Sequence, residues 1–499
     1  MSKSPCIAVL DIGKTNKKVV AYDAQLNVLK TAVRRIDEVE RDGFVSDNVE
    51  EIRNFFFEKL CEFNREYEVK AISISAHGAT FCCIDENGDL SVPQVSYTTD
   101  PGPELDQKFY AEFGAPEELQ KETATASFNL LLNVARGIYF VRDKFPEGFA
   151  RTEHILNYNS YWGYLLTGNV GAEYTYMGCH SFLWDFHANQ PSSVARKMGI
   201  ADMLPTPLNH PWDVLGTISP AVAQETGLAP DTILTHGLHD SNAALVPYMC
   251  SVDHDFVLNS TGTWCVDMHE ADDVRFTDEE LGKTVFFNLN AYGRPVKTSI
   301  FLGGAEFEAY ADILKSIHGD LEKPQFDPEL CQQVINDQRY FIMPSVTPGT
   351  GQFPQSEARI IEAHKEFPLA DVQAGKVAPE FLKDQKLAHA VLDLSLVMQT
   401  TVALERVGCT DGLTIFTEGG FRRDATYNGL LASFYPNSEC CITNLEEASA
   451  VGAAVCAKCT LENVDPKAAS EWVSIDRKEV KPFPLSGMGA YRDAFLARV

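Results

Sequence analysis

Two short segments, separated by roughly half the chain, carry nearly the same set of residues able to grip an anion. The first is Asp11-Ile12-Gly13-Lys14-Thr15-Asn16-Lys17-Lys18, set between the apolar runs 7–10 and 19–22. The second is Asn259-Ser260-Thr261-Gly262-Thr263-Trp264, again between β-rich runs. Each reads as a hairpin whose tight turn is built from Gly with hydroxyl and amide residues. Such a turn aims backbone N–H groups and hydroxyls at one point, a concavity that suits a phosphate. With one turn in each half, the pattern predicts a duplicated protein closing on a nucleotide from both sides. Taken alone, Asp11 also fits an ordinary turn-initiating aspartate.

A third candidate is Asp240, in Thr235-His236-Gly237-Leu238-His239-Asp240-Ser241-Asn242, where a strand end gives way to a helix start. Open α/β sheets tend to build their sites at such points. An N-cap aspartate is the plainer account.

The elements that must position these residues alternate between strand and helix. β-Rich runs lie at 7–10, 18–22, 69–76 and 79–84, with helix expected over 49–65 and 126–168, the latter closing on Gly168. The second half restarts with strands at 255–268, 284–290 and 296–301 and helices at 304–317 and 386–407. Residues 413–420 read as a strand entering a glycine turn, and 445–456 as a helix whose small residues permit close approach. The Pro/Gly-rich stretch 344–354 reads as an ordered loop. The expected class is α/β, with two similar lobes, 1–248 and 249–499, and a cleft between them.

At 499 residues the chain is too long for one core. Its net charge of −28 argues against nucleic acid and anionic membranes as partners. A nucleotide would have to be held by local donors and a metal ion against that field. No apolar run approaches the roughly 20 residues that span a bilayer. The first residues lead straight into a strand, so a cytoplasmic location is expected. The thirteen cysteines sit mostly in apolar surroundings and read as reduced and buried. Cys456-Ala-Lys-Cys459 stands alone, late in an Ala-rich helix, and reads as packing rather than as a metal or redox pair.

Taken in order, these segments resemble the FGGY family of carbohydrate kinases, within the superfamily of actin, sugar kinases and heat-shock ATPases. The resemblance runs through Asp11–Lys18, Ile72–Gly78, His239–Ala244, Ser260–Trp264, Glu418–Phe421 and Glu447–Ala454, nearly the whole chain. The His239-Asp240 pair and the Ser260–Trp264 turn look most like the rhamnulokinase branch. The resemblance implies two actin-like (ribonuclease H-like) lobes around a nucleotide- and sugar-binding cleft. It also implies ATP-dependent transfer of a phosphoryl group to a hydroxyl of a small sugar, a ketose such as L-rhamnulose, L-fuculose or a pentulose. Ser75-Ala76, Phe421, Asp424 and the stretch 95–101 depart from the family pattern, which leaves the sugar's identity open.

The implied roles follow residue by residue. Asp240 is the base that takes the sugar's proton, and Asp11 holds Mg²⁺ through water. Gly13, Thr15, Asn16 and Lys18, with Lys14, face the phosphates from one side, and Thr261, Gly262 and Thr263 from the other. Gly419 and Gly420 let the backbone approach the adenosine. His77, Gly78 and His239 contact the sugar, whereas Trp184 and Trp264 fit core packing better than stacking on it. A polyol kinase and a non-catalytic sugar or nucleotide sensor are the competing readings, and Asp240 weighs against the sensor. A chaperone-like ATPase is a third. A homodimer is the commonest soluble assembly.

Overall fold

In the computed structural model, which describes residues 3–348 and 351–499, the two Gly-containing turns at 13–16 and 261–264 occupy equivalent corners of two sheets built to one plan. The first sheet comprises β1 (Ser4–Ile12), β2 (Asn16–Tyr22), β3 (Val28–Arg35), β4 (Tyr67–Ala76), β5 (Val214–Thr217), β6 (Ile233–Thr235) and β7 (Leu238–His239). Its order is β5-β6-β4-β1-β2-β3, with β7 also on β4. The second comprises β8 (Phe256–Thr261), β9 (Cys265–Glu270), β10 (Val285–Leu289), β11 (Pro295–Phe301), β12 (Thr414–Gly419), β13 (Cys440–Thr443) and β14 (Arg477–Glu479). Its order is β10-β11-β9-β8-β12-β13-β14.

The correspondence is strand by strand. The hairpins β1–β2 and β8–β9 are antiparallel, and the first strand of each pairs in parallel with a later one, β1 with β4 and β8 with β12. Outward, β2 meets β3 and β9 meets β11 in antiparallel fashion, while β4 takes β6 and β12 takes β13 in parallel. The parallel centre explains the unbroken apolar runs, since β1 and β4 are buried on both faces.

Six helices matter to the site: α1 (Val49–Glu66), α2 (Asp240–Ser251), α3 (Gly303–His318), α4 (Gln385–Arg406), α5 (Ala425–Phe434) and α6 (Ala448–Glu462). α1 buries Ile52, Phe56, Leu60 and Phe63 at helical spacing. α6 packs Ala450, Ala453 and Ala454 against Ile7, Val9 and Val20 of the first sheet. α2 packs Leu245 and Tyr248 against Leu258, Met268 and Phe416 of the second. Each half of the chain thus lends a helix to the other half's sheet. A Cβ at Gly452 would stand 1.9 Å from Ala243 O, so glycine there is what lets α2 and α6 cross in contact. The expected division at 248/249 falls inside α2.

Several elements differ from expectation. The helix expected over 126–168 is two, Val134–Lys144 and Tyr158–Thr167, with a short turn at Pro146–Phe149 and a strand, His154–Asn157, between them. That strand pairs with Phe81–Ile84, and ladder hydrogen bonds outweigh local helical preference. Residues 126–133 are irregular because the Asn133 side chain binds Ala126 O and Phe128 N. The helix expected at 445–456 begins at Ala448 and runs to Glu462, since Arg422 holds the carbonyls of Thr443 and Leu445. The loop expected at 344–354 is irregular where described, and residues 349–350 lie outside the described residues. α4 is long and apolar enough to cross a membrane, yet 89% of its apolar window is buried inside the protein. All thirteen cysteines are free, and all but Cys61 are buried.

Candidate active site

The ends of β4 and β7 face the turn after β8 across a cavity of 310 Å³. The first half of the chain contributes Lys14, His77, His180, His239 and Asp240, and the second contributes Ser260, Thr261, Gly262 and Trp264. Asp240 is the lone carboxylate on its wall among the described residues.

His77 follows β4 directly. Its Nε2 lies 3.3 Å from Asp47 Oδ2, and its Nδ1 lies 3.2 Å from Gly78 O. Asp47 is 3% exposed and also pairs with Lys14 Nζ at 3.1 Å. Burial alone would raise the Asp47 carboxyl, but His77, Lys14 and Lys17 outweigh it and hold the group well below the usual range. Lys14 is further fixed by Ser96 Oγ at 3.0 Å and Glu38 at 2.6 Å, and stands 4.8 Å over the Tyr97 ring. Its charge is therefore neutralised on the cavity wall, not free for a phosphate.

Asp240 opens α2 but does not cap it; the N-cap position belongs to His239. Asp240 Oδ1 accepts from Ser241 N at 2.7 Å and lies 3.2 Å from His239 Nε2. Burial raises its carboxyl, with His77, Ser241 and His180 acting in the opposite direction. His239, expected to meet a sugar, thus turns its Nε2 toward the aspartate. His239 is held by its N–H to Thr175 Oγ1 at 2.9 Å and by Asn242 Nδ2, 3.2 Å from Nδ1.

Asp11, at the end of β1, is 5% exposed. Ser449 Oγ, from the first turn of α6, lies 3.4 Å from both its oxygens. Lys18 lies 3.7 Å from Asp11 and pairs with Glu447, immediately before α6. Burial pushes the Asp11 carboxyl up to about 6; Lys18 opposes this, while Asp240 and Glu447 add to it. Carboxylates that repel one another across two halves of a chain, with one nearby cation, form a hard oxygen donor set. That set fits a hydrated divalent cation.

The second turn is stitched to the glycine turn behind it. Thr261 Oγ1 donates to Glu418 O and accepts from Phe421 N at 2.9 Å, and Gly420 N donates to Thr261 O at 2.7 Å. The Thr261 hydroxyl is consequently engaged within the protein, leaving main chain to face the cavity. Gly419 has φ +76°, and a Cβ there would stand 1.9 Å from Thr261 O. This neighbouring strand end by itself requires glycine at 419. A Cβ on Gly304 would reach Gly262 O at 2.2 Å, so the start of α3 abuts the same turn.

A second cavity of 560 Å³ opens beside Gly420 and Phe421, walled by Phe307, Phe326, Lys323 and Asp424. Asp424 caps α5 and pairs with Lys323 at 2.6 Å, so it is committed within the protein. Gly13, Thr15, Asn16 and Thr263 line neither cavity, and Thr15, Asn16 and Thr263 are exposed. Gly78 lines the first cavity. Trp184 is buried in a core cluster, whereas Trp264 reaches the cavity wall. Sequence reasoning missed Asp47, Tyr97, Cys179 and His180. Tyr97 lies in the 95–101 stretch and Asp47 just before the N-cap of α1, but what marks all four is partners or neighbours far away in the chain.

Comparison with known proteins agrees with this architecture. Residues 6–247 match the N-terminal domain of the FGGY family of carbohydrate kinases, and residues 253–465 match a carbohydrate kinase FGGY C-terminal domain. A probable L-xylulose kinase of Pasteurella multocida (strain Pm70) is 25% identical over 52% of this chain and 54% of its own. A rhamnulokinase of Enterococcus faecalis (strain ATCC 700802 / V583) is 25% identical over 39% of this chain and 38% of its own. The chain thus spans about half the length, or less, of these curated relatives. The crystal structure of a carbohydrate kinase from Novosphingobium aromaticivorans superposes with a TM-score of 0.80 at 25% identity, over 100% of this chain and 99% of that one.

Proposed function

The chain belongs to the FGGY family of carbohydrate kinases, and we propose that it transfers the γ-phosphoryl group of ATP to a hydroxyl of a small neutral sugar, most closely a ketose. One observation carries this reading: a single sugar-sized cavity has Asp240 on one wall and the Ser260–Gly262 turn on the other. A sugar hydroxyl is a poor nucleophile at neutral pH. With Asp240 in hydrogen-bond reach, the hydroxyl gives its proton to the carboxylate as its oxygen bonds to the γ-phosphorus and the bond to ADP breaks.

Asp11 is the residue we assign to a hydrated Mg²⁺, which when bound supplies charge neutralisation for the phosphates. Lys18 adds positive charge beside it. Main-chain N–H groups at Gly13 to Asn16 and at Thr261 to Thr263 present donors to the phosphates from two sides. Gly420 and Phe421 border the cavity we assign to the nucleoside. His77, its ring oriented by Asp47, contacts the sugar, as does Gly78 through its main chain. We assign the division between lobes to the region of α2, with the sugar on the first and the nucleotide on the second.

ADP release, measured across pentuloses, 6-deoxyhexuloses, glycerol and tetritols, tests the reading. Turnover with a ketose supports it, and turnover confined to polyols moves the assignment to a polyol kinase. Binding of sugar without any ADP release overturns it.

A further inference from the structure

Beside Asp240, three side chains with no part in the proposed proton transfer converge. Cys179 Sγ, one ring nitrogen of His180 and one of His239 lie within 4.8 Å of one another. They arrive from two places in the chain, the segment after Gly178 and the strand end before α2. Cys179 Sγ is 3.7 Å from His239 Nε2. A tetrahedral zinc ion, with Zn–S about 2.3 Å and Zn–N about 2.0 Å, sets that separation near 3.5 Å.

The lone pairs are available. His180 Nδ1 lies 2.9 Å from Leu132 O, which can only accept, so Nδ1 carries the proton and Nε2 the lone pair. His239 Nδ1 faces Asn242 Nδ2 at 3.2 Å, while its Nε2 faces Asp240 Oδ1 at 3.2 Å. Turning the Asn242 amide over gives its unpartnered oxygen an Nδ1–H donor and leaves the Nε2 lone pair to the ion in place of the Asp240 contact. Burial keeps both rings neutral, pushing His180 down to about 4 and His239 down to about 3.

Space is available too. Gly78, Cys179, His180 and His239 all line the cavity, and an added Cβ at Gly78 would stand 2.7 Å from His239 Nε2 and 3.2 Å from His180 Nε2, so glycine keeps the approach to both nitrogens open. His180 itself sits at φ +37°, a left-handed conformation that non-glycine residues adopt at a cost and that clusters at ligand sites.

We propose that Cys179, His180 and His239 bind one thiophilic divalent cation of the Zn²⁺ class, with its fourth position open to the cavity. Binding releases the Cys179 thiol proton to solvent, and the resulting thiolate, two neutral imidazoles and the nearby Asp240 carboxylate balance the ion's charge. The ion takes the nitrogen by which His239 meets Asp240 and stands against the cavity wall, so it competes with the sugar. That consequence rests on the kinase reading; binding of the ion does not.

Co²⁺ titrated into the metal-free full chain is the probe. The expected result is a thiolate-to-cobalt charge-transfer absorption with the intense visible bands of a tetrahedral site, saturating at one ion per chain and displaced by Zn²⁺. Cys179→Ser removes the charge-transfer absorption, and His180→Ala weakens binding by about tenfold or more. Cys456→Ser, in the core between α2 and α6, leaves the spectrum unchanged. Absence of the absorption in the parent protein overturns the proposal, as does its survival in Cys179→Ser. Sugar-dependent ADP release in chelator-treated, Mg²⁺-replenished protein reports on the kinase reading separately.

Discussion

Replacing Asp240 with Asn separates the proton-accepting role proposed for this side chain from its shape. Asn keeps the size and one oxygen able to accept from Ser241 N, the 2.7 Å contact at the start of α2, so the helix start is preserved. What is lost is charge and basicity. A positioned general base contributes roughly 10²–10⁴-fold, which at 1.36 kcal/mol per decade is about 3–5 kcal/mol of barrier. The structure places the expected loss in the upper part of that range. Burial raises the Asp240 carboxyl, bringing it nearer to a working pH, and no other carboxylate lines the cavity among the described residues to replace it. The assay is steady-state ADP release with the best sugar substrate, alongside calorimetric titration with ATP. The expected outcome is a fall in kcat of about 10³-fold or more with ATP affinity near that of the parent. A variant that keeps the parent's kcat, or whose loss lies wholly in KM for the sugar, refutes the assignment of the base.

Three further outcomes are expected. Asp47→Asn leaves Lys14 and His77 without their buried partner, so urea denaturation at neutral pH shows a loss of about 3 kcal/mol, with a raised KM for sugar. Because the folded Asp47 carboxyl is held low, this contribution is present above the unfolded pKa of about 3.9 and is lost below it, so parent and variant converge in acid. Asp11 has the opposite sign: pushed up to about 6, it binds its proton more tightly when folded, and its contribution to stability falls as pH rises from about 4 to 6. Melting curves without metal show that decline, and Asp11→Asn flattens it. Finally, Gly419→Ala puts a Cβ 1.9 Å from Thr261 O at φ +76°, which lowers stability by about 2–4 kcal/mol and weakens nucleotide binding together with it. Unchanged melting of that variant would remove the claim that this glycine serves the neighbouring strand end.

Much of the framework was legible in the residue order. The hairpins β1–β2 and β8–β9 follow from β-rich apolar runs around Gly, Thr and Asn, and α1 follows from apolar residues such as Ile52, Phe56, Leu60 and Phe63 at helical spacing. Asp240 was legible as a strand-to-helix junction, and the small residues of α6 signalled a close partner. The break of 126–168 was not, because the strand His154–Asn157 forms only through pairing with Phe81–Ile84, far back in the chain. Nor was the reason for Gly419, whose neighbour, Thr261, lies more than 150 residues earlier.

The amino-acid order by itself determined the duplicated plan, the two turns and the acid beside the helix start. These depend on backbone preferences and side-chain periodicity among residues close in sequence. Only the tertiary structure decided which side chains remain available for chemistry. Lys14 is neutralised by Asp47 and Glu38, the Thr261 hydroxyl is bound within its own turn, and His239 is turned onto Asp240. His180, unremarked in the chain, is carried onto the cavity wall. A hydrogen bond or ion pair is satisfied by whatever the returning chain brings within about 3 Å, and no local pattern records that encounter.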